Sequence, residues 1–353
     1  MNPRTAAPPR ANRQAGRLPH RDFGSFISAL CLCAKSGGLG WGGAIYWATV
    51  ERARIVYNRF ARNAPPIERL KAACARAGDG WQVEIVNTDA PGHATQLARE
   101  AAASGARAVF ASGGDGTVNE VVNGLAGTQC ALGVLRGGMG NVFAKEIGVS
   151  RRLERALASQ LHGDRRRFDL GRAGERRFLL MAGVGLDAEV VRAVPDAWKR
   201  KLGSSSYALW AVKMLPGYRA MRARLSIDGA PREGELFWLL LGNTRSYGGI
   251  AEITAKAVVD DGRLDAYLFE GRGLGWAALT SVRIALRRQD GARGVSFHRV
   301  QELTIETPGL AVQADGEYLG ETPMTFSVEP QALDVLLPRG RGQELFGAEA
   351  ANR

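Results

Sequence analysis

A strict alternation of short apolar runs with helical periods, beginning at residue 53, constrains the fold more than any other feature. Residues 54–58 (RIVYN) read as a short buried strand and residues 66–77 as a helix. Residues 81–86 (WQVEIV) form the next strand, 94–103 a helix, 106–111 (ARAVFA) a third strand, 117–125 a helix and 131–135 a fourth strand. Units of this length join through right-handed crossovers into a parallel sheet with helices on both faces. The pattern predicts a Rossmann-like α/β domain over residues 51–165, with ligands at the carboxyl ends of its strands.

After about residue 165 the rhythm changes. Segments 177–181, 222–227, 236–241, 263–269, 301–306 and 333–337 are strand-like, and most lack a single crossover helix between them. They predict a second domain over residues 166–340, a mainly antiparallel β-sandwich with helical insertions near 196–219 and 273–288, followed by a tail at 341–353. Residues 1–50 stand outside the pattern. Their apolar stretch 26–34 follows Arg4, Arg10, Arg13, Arg17 and Arg21, but the charged leader is long for a secretion signal and Lys35 follows at once. A disordered extension is the simpler reading. No run of about 18 uncharged apolar residues occurs, so no spanning helix is expected.

Lysine and arginine exceed aspartate and glutamate by 47 − 35 = +12. That surplus favours nucleic acid, nucleotides or an anionic membrane face. The cations are scattered and accompany no nucleic-acid motif, so no nucleic-acid partner is expected. Cys31, Cys33, Cys74 and Cys130 form no C-x-x-C pair and no zinc spacing, which suits reduced thiols of a cytoplasmic protein.

Chemistry concentrates at residues 112–120 (SGGDGTVNE), between the third strand and its helix. Glycines there let the backbone approach a phosphate, and the amides of a helix N-terminus offer unpaired donors. Thr117 adds a hydroxyl, and Asp115 is suited to orient a nucleotide or a metal. A glycine-rich strand-to-helix turn is the structural alternative for a shorter run. No Walker A loop is present. Elsewhere, Asp260, Asp261 and Gly262 read by themselves as a turn, and Asp315-Gly316 as a hairpin signal.

Residues 113–125 (GGDGTVNEVVNGL) resemble the signature of the diacylglycerol kinase catalytic-domain family, which includes bacterial lipid kinases and sphingosine and ceramide kinases. The resemblance continues in order through 135–144 (LRGGMGNVFA), 169–171 (DLG), 183–188 (GVGLDA), 199–203 (KRKLG) with Tyr207, 243–249, 260–265 (DDGRLD) and 315–317 (DGE). It implies ATP as phosphate donor, Mg²⁺ as cofactor and a lipid hydroxyl as acceptor. It further implies that Asn58, Thr88, Gly113, Gly114, Asp115, Gly116, Thr117, Asn119, Gly138 and Asn141 bind the nucleotide. Asp115 would also assist a catalytic Mg²⁺, while Asp261 with the carbonyls of Val258 and Arg263 would hold a structural one. Glu317 would be the general base.

The chain departs from that family at three points. The first loop, 58–62 (NRFAR), keeps Asn58 but lacks a proline and a glycine; Met139 replaces a hydroxyl residue; Val142 replaces an aspartate. Arg59 and Arg62 are candidates to compensate by pairing with phosphate oxygens.

A kinase of lipids must touch a membrane. Trp198, Lys199, Arg200 and Lys201, with Tyr207, Trp210, Ala211 and Met214 at helical spacing, compose either a docking helix or a core stripe. Arg165, Arg166, Arg167, Arg176 and Arg177 read as a solvated basic face. The expectations are a peripheral protein at the cytoplasmic face of the membrane, a lipid substrate and a homodimer. An NAD kinase-like enzyme of a soluble dinucleotide and an inactive nucleotide- or lipid-binding homologue are the competing readings.

Overall fold

The computed structural model describes residues 50–76, 80–203, 205–249 and 251–347. The leader at 26–34, Cys31 and Cys33 lie outside these residues. The first part follows the alternation: β1 (Glu51–Tyr57), α1 (Ile67–Ala75), β2 (Trp81–Asn87), α2 (His93–Ala103), β3 (Ala108–Gly113), α3 (Asp115–Leu125) and β4 (Ala131–Arg136). These strands pair in parallel in the order β2-β1-β3-β4. All six residues of β3 are buried, as a central strand covered on both faces requires. Opposite Phe110 in β4 lies Gly133, where an added Cβ would meet the ring at 2.3 Å. A small residue there makes room for the large one.

The chain continues through α4 (Val142–Glu146), α5 (Leu153–Leu161), β5 (Asp164–Ala173), β6 (Arg176–Phe178), β7 (Met181–Gly185), α6 (Leu186–Ala193), α7 (Asp196–Leu202) and α8 (Ser205–Met214). It then forms β8 (Met221–Ile227), β9 (Ala230–Leu236), β10 (Trp238–Gly242), β11 (Leu264–Phe269), α9 (Gly273–Ala285), β12 (Val295–Val300), β13 (Glu302–Ile305), β14 (Ala311–Ala314), β15 (Glu317–Glu321) and β16 (Met324–Leu337).

Strands β12-β11-β10-β7-β14-β15 make an antiparallel six-stranded sheet. Val184, Leu239, Leu241 and Leu268 from this sheet pack with Leu303 and Phe326 from β13 and β16 in a fully buried sandwich core. Each such side chain contributes about 1.5–3 kcal/mol through burial.

The parallel sheet does not end at β4. The long β16 runs beside it, parallel at Val335 and Leu132, and antiparallel to β5 and β13. A ten-stranded mixed sheet results. An apolar strand at an open edge invites aggregation, and the returning C-terminal strand covers it.

The single strand expected over 177–181 is interrupted. The backbone N–H groups of Leu179, Leu180 and Met181 donate to the carboxylate of Asp315 instead of a neighbouring strand. Both helical insertions form. On α8, Tyr207, Trp210, Ala211 and Met214 pack inward beside Val190 and Phe237, so this stripe is the core face of its helix. Leu209 and Val212 are exposed, Val212 by 70 %. Among the described residues no helix is long and apolar enough to cross a membrane.

Candidate active site

Two glycine turns at the carboxyl ends of β3 and β4 lie against each other. Gly137 N–H donates to Gly113 O at 2.9 Å. A Cβ on Gly138 would stand 2.6 Å from Gly114 Cα, and one on Gly140 would meet Asp115 Oδ2 at 2.4 Å. At Gly138 the clash is with backbone, so only glycine fits there, while at Gly140 the Asp115 side chain would have to move. Helix α3 starts at Asp115 with Gly114 as its N-cap and no capping side chain, which leaves first-turn amides free for an anion.

Side chains from three segments brace this frame. Asn58 N–H donates to Ser112 O at 2.9 Å and its side-chain amide to Thr117 Oγ1 at 3.0 Å. Thr88 is buried beside them, its N–H donating to Tyr57 O. Asn141 adopts φ 46°, where its amide donates to Gly138 O at 2.6 Å and its oxygen accepts from Gly138 N–H at 3.0 Å. Val142 N–H donates to Asp115 Oδ1 at 2.7 Å. Burial pushes the Asp115 carboxyl up, against these backbone donors.

Of the compensating arginines, Arg62 donates to the Met139 sulfur at 2.9 Å and to Lys201 O at 3.0 Å. Met139 in turn lies where a Cβ on Gly203 would touch it at 3.0 Å. The unusual residues of the two loops thus hold the turn between α7 and α8 in place.

From the other sheet, Asp315 and Gly316 form the two-residue turn between β14 and β15, both with positive φ. The Asp315 carboxylate accepts three backbone N–H groups and the Asn119 amide at 2.7 Å. Burial raises its pKa all the same. This knot fixes the hairpin to α3 and aims the next residue, Glu317, across the gap. Glu317 Oε1 stands 3.5 Å from where a Cβ on Gly116 would be. Its Oε2 accepts from Arg176 at 2.8 Å, and Arg176 also donates to Asn119 Oδ1 at 2.6 Å. Burial lifts the Glu317 carboxyl above the usual range, with Arg176 pulling the other way.

Asp115 and Glu317, some two hundred positions apart, line one cavity of about 900 Å³. Its far walls are apolar: Val190, Ala211, Phe237, Trp276 and Ile284 among them. Between the two ends lies a buried polar cluster in which Asp187 accepts from the Tyr247 hydroxyl and, at 2.6 Å, from Gln313. Burial raises the Asp187 carboxyl above its ordinary range, against the Tyr247 and Gln313 donors.

Sequence reasoning passed over Arg176 as an orienting group and assigned it, with Arg165 to Arg167, to a solvated basic face. That face does not exist as expected. Arg165 pairs with Asp334 at 2.6 Å, Arg166 lies over the Phe346 ring, and Arg177 pairs with Glu329 at 2.6 Å. Each cation sits opposite a partner from a distant strand or the tail, which no local pattern reveals.

Val258, Asp261 and Arg263 are not among the cavity's lining residues. Asp261 Oδ1 accepts from Arg263 N–H at 3.0 Å, while its Oδ2 is in contact with the Arg299 guanidinium, which also approaches Asp265 at 3.6 Å. A cation already neutralises the carboxylate, so in this arrangement the three residues do not fit Mg²⁺. Among the described residues no group of three or more His, Cys, Asp or Glu side chains is spaced to hold a metal.

Known proteins resemble this chain along the same lines. The profile of the diacylglycerol kinase catalytic domain matches residues 52–173, and that of the YegS C-terminal NAD kinase beta sandwich-like domain matches residues 181–337. A Pseudomonas putida protein named "Probable lipid kinase YegS-like" is 34% identical over 74% of this chain and 87% of its own length. A Bacillus subtilis diacylglycerol kinase is 29% identical over 84% of this chain and 99% of its own. A crystal structure of a diacylglycerol kinase from Bacillus anthracis shares the fold, with TM-score 0.64, 22% identity and coverage of 82% of this chain and 97% of that one. With the two profiles in tandem, the YegS-like relative matched over most of its length and the two glycine turns facing Glu317, the chain belongs to the diacylglycerol kinase catalytic-domain family.

Proposed function

We propose that the protein transfers the γ-phosphate of ATP to the hydroxyl of a diacylglycerol- or sphingosine-like lipid. One observation carries this reading: a single cavity has phosphate-binding geometry and two carboxylates at one end and an apolar chamber at the other. A soluble dinucleotide has no use for that chamber, which disfavours the NAD kinase-like alternative.

The geometry supports the following roles. Free amides at the start of α3, with the Gly137–Asn141 turn opposite, hold the triphosphate oxygens. Asp115 is the carboxylate placed to hold Mg²⁺, which when bound neutralises charge on the phosphates. Glu317, kept in line by Arg176, accepts the proton of the lipid hydroxyl, and the Asp315 knot fixes the distance between the two halves.

The acyl chains enter between α8 and α9. Both helices wall the cavity, and their outer faces expose Leu209, Val212, Leu274, Leu279, Val282 and Leu286. Exposed apolar rows on neighbouring helices, flanked by Lys213, Arg283 and Arg288, suit contact with one leaflet at the cytoplasmic face, where ATP is available. Val212→Glu combined with Val282→Glu is expected to abolish sedimentation with liposomes; undiminished sedimentation contradicts the docking face. Transfer from labelled ATP to a mixed lipid extract tests the activity itself. A labelled lipid identified by mass supports it, and label appearing on NAD alone, or nowhere, overturns it.

A further inference from the structure

Beside the second glycine turn, where Asn63 donates to Gly137 O and Gly138 O, lies a separate cleft of about 250 Å³. Asn63, Arg69, Arg136, Ser150, Arg151 and Leu153 are among the residues that line it. The three arginines differ in their partners. Arg69 is held by both oxygens of Glu154, at 3.0 and 3.2 Å. Among the described residues, neither Arg136 nor Arg151 takes part in an ion pair. The Arg136 Nε–H is buried without any hydrogen-bond partner, and its guanidinium reaches only Ala144 O, at 3.3 Å.

Arg136 is left unfavourably, its Nε–H shut away from solvent, whereas Arg151 is exposed at the mouth of the cleft. A buried guanidinium keeps its charge and needs an acceptor. Here burial first, then the nearby Arg151 cation, pull Arg136 below its ordinary range. No carboxylate answers either of them. The cleft also opens at the start of α5, a nine-residue helix with no side-chain cap. Arg136 is the last residue of β4, at the sheet edge where ligands of such folds collect.

We propose that this cleft binds a phosphate dianion, free or as the head of a phosphomonoester. The guanidinium forks of Arg136 and Arg151 would take its oxygens, with the first amides of α5 as further donors. The volume accommodates a phosphate group. Because Arg136 precedes Gly137, whose N–H grips Gly113, an occupant would brace the second glycine turn.

The test uses the full chain at constant ionic strength, titrated calorimetrically with inorganic phosphate and, in a second arm, with water-soluble dihexanoyl phosphatidic acid. Wild type and Thr117→Ala are expected to bind phosphate saturably, because Thr117 sits on α3 beside the two glycine turns and does not line this cleft. Arg151→Met, a change at an exposed residue that leaves folding intact, is expected to weaken binding about tenfold or more, and Arg136→Met likewise. Phosphatidic acid binding that is tighter than that of phosphate and is weakened in both arginine variants assigns the site to a lipid head group; phosphate binding weakened in both variants with no gain from the lipid assigns it to free phosphate, and either supports the site. Absence of saturable binding, or binding unchanged in both arginine variants, overturns it.

Discussion

Arg176 donates to Glu317 Oε2 at 2.8 Å and to Asn119 Oδ1 at 2.6 Å, so one guanidinium from β6 links the candidate base on β15 to α3, the candidate phosphate-binding helix. The pair sets both where Glu317 points and when it carries charge. Burial favours its neutral form and Arg176 favours its ionised form. A base works only when ionised, so activity rises with pH through this group's pKa, which lies above the ordinary carboxylate range.

Replacing Arg176 with methionine removes the cation that lowers that pKa. The acidic limb of the kcat/KM profile is expected to move up by about one pH unit or more. An unchanged limb, measured across pH 5 to 8 with saturating nucleotide, would separate Arg176 from the base.

Gly138→Ala places a Cβ 2.6 Å from Gly114 Cα, inside any tolerable carbon contact. Backbone blocks the way, so the two turns must part. Nucleotide affinity is expected to fall about tenfold or more, because donors displaced by even an ångström lose their hydrogen bonds. Fluorescent-nucleotide titration measures it, and wild-type affinity would show that the turns do not act together.

The order of strands and helices up to β4, the glycine turn and the Asp315-Gly316 hairpin were legible because each rests on local chemistry: periodicity, backbone freedom and turn preference. Three things were not. β16 looks like any other strand, and only the open edge of β4, distant in sequence, decides its place. The break at Leu179 and Leu180 depends on Asp315, more than a hundred positions away. Arg299 beside Asp261 is equally remote, so the turn at 260–262 gives no sign that a guanidinium already answers its carboxylate.

Asp265 carries a pH prediction of its own. Its side chain is 3% exposed and Oδ2 has no hydrogen-bond partner. Burial raises its pKa from the ordinary 3.8 to about 6. The folded state thus holds the proton more tightly than the unfolded chain, and stability falls as pH rises from near 4 through about 6. Asp265→Asn removes the buried charge and is expected to stabilise the protein at pH 8 by about 3 kcal/mol, with little gain at pH 4. Chemical denaturation at both values checks this; a destabilised variant at pH 8 contradicts it.

The central claim is that Glu317 takes the acceptor's proton across a cavity it shares with Asp115. Single-turnover transfer from ATP to lipid in Glu317→Gln, alongside nucleotide affinity, tests it most directly. The amide keeps the shape and cannot accept a proton, so transfer is expected to slow about 10²–10⁴-fold while nucleotide affinity stays near that of the wild type. Transfer at the wild-type rate would contradict the claim.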